Sequence, residues 1–197
     1  MQIKSNLHER SAEGINNFSN TLPELQSDLA RSIIKDPYNL EFLDIQGKII
    51  ERDLENKLID NIKNFLLELG QGFAFVGNQY HIETCGRRLL FGFSFFYHIK
   101  LKCYVVIELK TGKFKPEYAG KLNFYLNLMD RTIKDNLDNP TIGLILCEEK
   151  QGITVEYAIE GIQKPIGVPQ FKLTATLPKK LKKFLPTPQD LAKLKSA

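Results

Sequence analysis

One run of ten residues, Cys103-Tyr104-Val105-Val106-Ile107-Glu108-Leu109-Lys110-Thr111-Gly112, restricts the fold more than any other stretch of this sequence. Six of its first seven residues are apolar, the pattern of an interior strand covered on both faces. Glu108 and Lys110 then emerge on one of those faces, about 7 Å apart along the backbone. Taken alone, the stretch reads most simply as a strand end whose acid and lysine both reach solvent. If they are covered instead, each needs a partner or a metal, because desolvating an unpaired charge costs several kcal/mol, roughly.

The remaining chain reads as support for that strand. Before it, Leu54, Leu58, Ile62, Phe65, Leu66 and Leu69 share one face of a helix spanning Glu51 to Leu69, with Gly70 as its stop. Glu55 sits at the margin of that stripe. Phe73 to Val76, Gln79 to Glu83 and the apolar run Leu89 to His98, with a turn at Gly86, lead into residues 102 to 109 as consecutive strands. The link Ile99 to Leu101 is short enough to make its two flanking strands antiparallel. Beyond Lys110 comes a basic, turn-like segment, Thr111 to Pro116. Pro116-Glu117 then opens a helix with Ala119, Leu122, Phe124, Tyr125, Leu126 and Met129 as its apolar positions. Thr141 to Cys147 is a second fully apolar strand, and Thr154 to Ile159 a short strand or helix start. Helix, three strands, helix, strand is the order of an α/β core around a mixed sheet.

This core occupies residues 47–178. Residues 1–46 form an N-terminal helical arm, with a helix opening near Pro23 and apolar Leu25, Leu29 and Ile33. It is too small to hold its own core. Its apolar side chains are expected on the main domain or on a second copy of the chain, which makes the arm the candidate surface for a homo-oligomer. Residues 179–197 form a lysine-rich C-terminal tail.

The 197 residues suffice for one good core, and 43% hydrophobic with 25% charged residues is an ordinary globular balance. No apolar run is long enough to span a bilayer and the first residues lack a secretory core, so no membrane association and a cytoplasmic location are expected. Cys85, Cys103 and Cys147 form no CxxC pair and read as buried small hydrophobes. The net charge of +4 is unevenly spread: residues 87–121 hold eight Lys/Arg against Glu108 and Glu117, and residues 170–197 hold seven Lys against Asp190. Such clustering suits a surface that meets a polyanion, although solvated charged faces account for many such clusters.

Phosphodiester cleavage uses carboxylates to hold Mg²⁺ and a nearby cation to stabilise developing charge. Glu108 and Lys110 match those two roles. The mechanism also wants a carboxylate on the neighbouring strand, and Phe91-Gly-Phe-Ser-Phe-Phe-Tyr-His98 contains none. Lys113 and Lys115 read as phosphate contacts or as a solvated turn. His98 reads first as a strand-end core histidine and second as a substrate contact.

Residues 73–147, with Phe-Ala-Phe-Val-Gly-Asn-Gln-Tyr, Phe-Phe-Tyr-His, Val-Val-Ile-Glu-Leu-Lys-Thr-Gly-Lys-Phe-Lys-Pro-Glu-Tyr-Ala-Gly-Lys-Leu-Asn-Phe-Tyr-Leu and Asn-Pro-Thr-Ile-Gly-Leu-Ile-Leu-Cys, closely resemble the YhcG-like family of PD-(D/E)XK nuclease-domain proteins. The resemblance extends from about residue 4 to the C-terminus. It implies a restriction-endonuclease-like core and cleavage of nucleic acid, with DNA the expected substrate and Mg²⁺ or Mn²⁺ the cofactor. Glu108 and Lys110 take the family's Glu-x-Lys positions, and the family's acidic helix residue falls on Glu55. Lys121, Asn123 and Tyr125 lie on the helix that flanks the site in such folds, and Gln79 and Tyr80 line it by analogy. Family members usually carry an aspartate five residues before the histidine of the Phe-Tyr-His segment, and here Phe93 stands there. A phenylalanine cannot ligate a metal. Members also tend to carry a helical domain ahead of the arm, for which residues 1–46 are expected to be too few.

Three readings follow. The first is a working nuclease in which Glu55, Glu108 and Glu83 share a metal and Lys110 assists attack. In the second, a degenerate nuclease fold binds nucleic acid without cutting and without a metal. The third is an oligomerisation module in which Phe93 fills the former site.

Overall fold

The computed structural model describes residues 14–45, 47–78, 81–84, 87–90 and 94–173. In chain order the elements are β1 (Ile15–Asn16), α1 (Phe18–Thr21), α2 (Glu24–Ile33), β2 (Tyr38–Asn39), a 3-10 turn (Glu41–Leu43), α3 (Glu51–Asp60), α4 (Ile62–Leu69), β3 (Phe73–Asn78), β4 (His81–Thr84), β5 (Arg87–Leu90), β6 (Ser94–His98), β7 (Cys103–Lys113), α5 (Pro116–Thr132), β8 (Ile142–Glu149), α6 (Gly152–Ile159), β9 (Ile166–Val168) and β10 (Phe171–Lys172).

The main sheet has the order β1-β9-β8-β7-β6-β3. Strands β3, β6 and β7 are antiparallel neighbours, whereas β7, β8 and β9 run parallel, so the sheet is mixed. The two apolar runs are its central pair: Glu108 stands opposite Ile145 and Lys110 opposite Cys147. Alternation along β7 divides its side chains between two layers. Val105, Ile107 and Leu109 pack with Leu54, Leu58, Phe65 and Leu69 of α3 and α4. Val106 packs on the other face with Leu122 and Leu126 of α5. Covering helices on both faces explain why neither apolar run alternates with polar residues.

Residues of the arm belong to the first of these layers, where Phe18, Ala30, Tyr38 and Leu40 are fully buried. Strand β1 pairs with β9 at the edge of the main sheet, and β2 with β10. Asn17 ties this region to the core: its amide donates to the carbonyls of Ile162 and Lys164, and its Oδ1 accepts from the Ile166 N–H.

Three local expectations change, and of the two readings left open at Thr154 to Ile159 the helix holds. The helix expected over Glu51–Leu69 is two helices, interrupted at Asn61 (φ −110°, ψ 28°), whose side-chain amide donates to the Lys57 carbonyl. His81–Thr84 and Arg87–Leu90 do not extend the main sheet but pair with each other as the separate β4–β5 ladder, and the turn expected at Gly86 lies outside the described residues. The segment after Lys110, expected as a turn, continues as strand to Lys113 through a register irregularity, with Gly112 at φ 87°. Residues from Thr154 are helical, in α6. The lysine-rich tail lies outside the described residues, which include no helix long and apolar enough to cross a membrane.

Candidate active site

The acid and amine of β7 are not at the surface. Glu108 is 1% exposed and Lys110 7%, which overturns their reading as a solvated strand end. Partners supplied by two helices, one far away in sequence and one that follows the strand directly, make this burial tolerable. The Lys110 ammonium donates to Glu51 Oε2 at 2.9 Å, from the first turn of α3, and lies 3.2 Å from Glu108 Oε1. It also sits 4.9 Å from the centre of the Tyr118 ring. From α5, the Lys121 ammonium donates to the same Glu108 Oε1 at 2.9 Å and stands 5.6 Å from the Tyr125 ring centre. Thus Oε1 receives two ammonium groups, whereas the buried Oε2 of Glu108 has no hydrogen-bond partner among the described residues.

Glu55 completes the cluster, one helical turn after Glu51 on the same face of α3. Its pKa is raised from the ordinary 4.5 to about 7. Burial is the main cause, and the charges of Glu108 and Glu51 act in the same direction while Lys110 and Lys121 oppose it. For both lysines burial disfavours the charged form, but hydrogen bonds and attraction outweigh it: Glu51 and Glu108 hold Lys110 above its usual range, and Glu108 does the same for Lys121. The centre is thus an interleaved set of acids and amines at the C-terminal end of a parallel strand pair, where open α/β sheets place their ligands.

Of the residues singled out from sequence, Glu55, Glu108, Lys110, Lys121 and Tyr125 come together here. Asn123 does not: two residues from Lys121 it faces another side of α5, where its Oδ1 and carbonyl accept from the Asn127 amide. Lys113 is 72% exposed and pairs with Glu149, and Lys115 is exposed at the N-cap of α5. His98 is buried opposite Cys103, and its Nδ1 accepts the Leu101 N–H at 3.1 Å. Five residues of β7 separate it from Glu108, or about 17 Å at ~3.4 Å per residue, so its role is structural. Burial accordingly lowers its pKa. Glu83 lies in the β4–β5 hairpin, paired with Arg88. Gln79, Tyr80 and Phe93 lie outside the described residues.

Two members of the cluster escaped the sequence reading, Glu51 and Tyr118. The spacing of Glu51, four residues before Glu55, was an available signal. Tyr118 carried none, because its position in the first turn of α5 does not reveal the strand lysine beneath it.

A model of the YhcG PDDEXK nuclease domain matches residues 31–186. The chain belongs to this family. A relative within it, the YhcG protein of Escherichia coli (strain K12), is 37% identical over 147 residues, which are 74% of this chain and 38% of the relative's length. Solved structures give distant likenesses. EndoMS in its apo form is 13% identical, over 68% of this chain and 49% of that one, with a TM-score of 0.39. A repair endonuclease from Pyrococcus abyssi is 12% identical over 68% and 50%, with a TM-score of 0.41. Family membership agrees with the helix-covered mixed sheet.

The donor set bears on the metal that the family implies. Among the described residues no three His, Cys, Asp or Glu side chains are grouped closely enough to form a complete cage. Mg²⁺, however, is commonly held by one or two carboxylates, with water and substrate phosphate completing its shell. Glu55 and Glu108 supply two, and the unpartnered Oε2 of Glu108 is a free hard donor. The residues fit an ion of that kind.

Proposed function

We propose that this chain is a nuclease domain that hydrolyses phosphodiester bonds of nucleic acid, with DNA as its expected substrate, using Mg²⁺ or Mn²⁺ held by Glu55 and Glu108. The observation that carries this reading is the buried Glu108–Lys110 pair, with one carboxylate oxygen left unpartnered. Burying an ion pair is weak support for stability, since an apolar pair of the same volume does as well or better. A pair kept under that cost, with further charges converging from α3 and α5, is the arrangement expected of a working site.

When bound, the divalent ion polarises a phosphoryl oxygen and lowers the pKa of attacking water. The protein supplies the rest. Glu51 and Glu108 fix the Lys110 ammonium, so that its positive charge is already placed where negative charge develops on the phosphate. Glu55, half-ionised near neutral pH, takes or releases a proton at its carboxylate with little cost. Phe93, standing where relatives carry aspartate, removes a ligand and lowers turnover.

The test is Mn²⁺- and Mg²⁺-dependent cleavage of plasmid and single-stranded DNA by the parent, Lys110→Ala and Phe93→Asp. Slow cleavage by the parent, lost in Lys110→Ala and increased in Phe93→Asp, is the expected result; no cleavage by the parent overturns it. Activity in Phe93→Asp alone would assign the parent to nucleic-acid binding on a disabled nuclease site. That second reading is favoured by the lack, among the described residues, of three acid, His or Cys side chains grouped closely enough to hold a metal ion.

A further inference from the structure

The two lysines on Glu108 differ in what holds them. Lys110 is rooted in the central strand, its side chain 8% exposed, with a second acid, Glu51, on its ammonium. Lys121 projects from α5 with its side chain 50% exposed, and among the described residues its acidic partner is Glu108 alone. One ammonium is fixed and the other has an open path to solvent. Both address Oε1 of a carboxylate that is almost wholly enclosed, so each contributes to neutralising a charge that water cannot reach. A divalent ion drawn to Glu108 would meet the Lys121 ammonium already beside that carboxylate, and two cations at that range repel strongly in a half-buried setting.

We infer that Lys121 is the built-in counter-ion of Glu108 in the metal-free state: it neutralises Glu108 until a divalent cation arrives, and the cation must displace it into solvent. The displaced ammonium, still tethered to α5 beside the site, is then free to meet a substrate phosphate. This deepens the nuclease reading and rests on its metal site. It makes metal and polyanion mutually reinforcing ligands, since each favours the state in which Lys121 has left Glu108, and such coupling is reciprocal.

Calorimetric titration with Mn²⁺, without nucleic acid, tests the inference in the parent, Lys121→Met and Lys121→Arg. Methionine keeps the apolar stem without the charge, and arginine keeps the charge. Lys121→Met is expected to bind Mn²⁺ about tenfold more tightly, a size limited by the solvent exposure of the lysine; Lys121→Arg should stay within about twofold of the parent. A second measurement needs no substitution: the rate of reductive methylation of Lys121, followed by mass spectrometry, should rise at saturating Mn²⁺. Equal or weaker Mn²⁺ binding by Lys121→Met, or an unchanged labelling rate in metal-loaded parent, overturns the inference and leaves the nuclease reading standing. No Mn²⁺ binding by any of the three proteins overturns both. Tighter binding by Lys121→Met without cleavage by the parent supports the counter-ion and removes the nuclease reading.

Discussion

Glu55 makes stability depend on pH in a direction opposite to most carboxylates. Its pKa is raised in the folded protein, from 4.5 to about 7, chiefly by burial. Folding therefore binds a proton between those values, and the stability this group permits at low pH is lost as pH rises through 7. Taken at full value the shift is worth about 3 kcal/mol, at ~1.4 kcal/mol for each tenfold change in proton affinity. Glu55 is only partly enclosed, so solvent screening reduces the expected cost to about 1–2 kcal/mol. The perturbation is Glu55→Gln, which keeps the shape and abolishes the titration. The assay is urea unfolding of parent and variant from pH 5 to pH 8. His98 acts with the opposite sign, because a pKa lowered by burial adds stability as pH rises toward its unfolded value. It is common to both proteins and cancels in the difference. Relative to Glu55→Gln, the parent should lose about 1–2 kcal/mol across this range, or roughly 0.5–1 M in urea midpoint for a slope near 2 kcal/mol per M. A flat difference, or one that favours the parent at high pH, refutes the placement of Glu55 among buried like charges.

Gly143 lets α5 approach the central strands closely: a Cβ there would lie 2.6 Å from Leu122 Cδ2 and 2.9 Å from Leu126 Cδ1. Gly143→Ala should therefore cost about 1–3 kcal/mol by overpacking, measured as a lower urea midpoint with an unchanged slope. Replacing the buried pair together, Glu108→Leu with Lys110→Met, should leave stability unchanged or raise it by about 1–4 kcal/mol while abolishing Mn²⁺ binding. Glu51 and Lys121 are both partly exposed and can be rehydrated. A large fall in thermal midpoint for the double variant would show that the pair is kept for stability.

The central strands were legible because burial on both faces leaves short runs that are apolar almost throughout, six of seven residues over Cys103–Leu109, and too short for a membrane span. That Glu108 and Lys110 share a face followed from the two-residue period alone. Their burial was not legible, because the groups that make it tolerable come from elsewhere, Glu51 from 59 positions away and Lys121 from the next helix. The break at Asn61 was hidden for a different reason. Leu58, Ile62 and Phe65 keep helical spacing across it, and only a local competitor, the Asn61 amide on the Lys57 carbonyl, marks the interruption. His81–Thr84 and Arg87–Leu90 misled because a strand pattern fixes which residues can pair but not which partner they choose; the two strands satisfy each other in a four-residue ladder.

The same reasoning bears on what a lost carboxylate does to such a site. If Phe93 replaces an acid that helped hold the metal, the remaining cluster has just two negative charges for its two lysines once Glu55 is protonated. Glu51 and Glu108 then balance Lys110 and Lys121, so the metal-free centre is electrically neutral below about pH 7 and burial of its parts costs least. The raised pKa of Glu55 and the seat of Lys121 on Glu108 are two sides of one balance. Restoring an acid at position 93 would disturb it, adding negative charge that the two ammonium groups no longer cover and that a divalent ion would. On that argument Phe93→Asp should gain metal affinity and lose stability of the empty protein together, whereas a gain in both would require the phenylalanine to be strained in its present place.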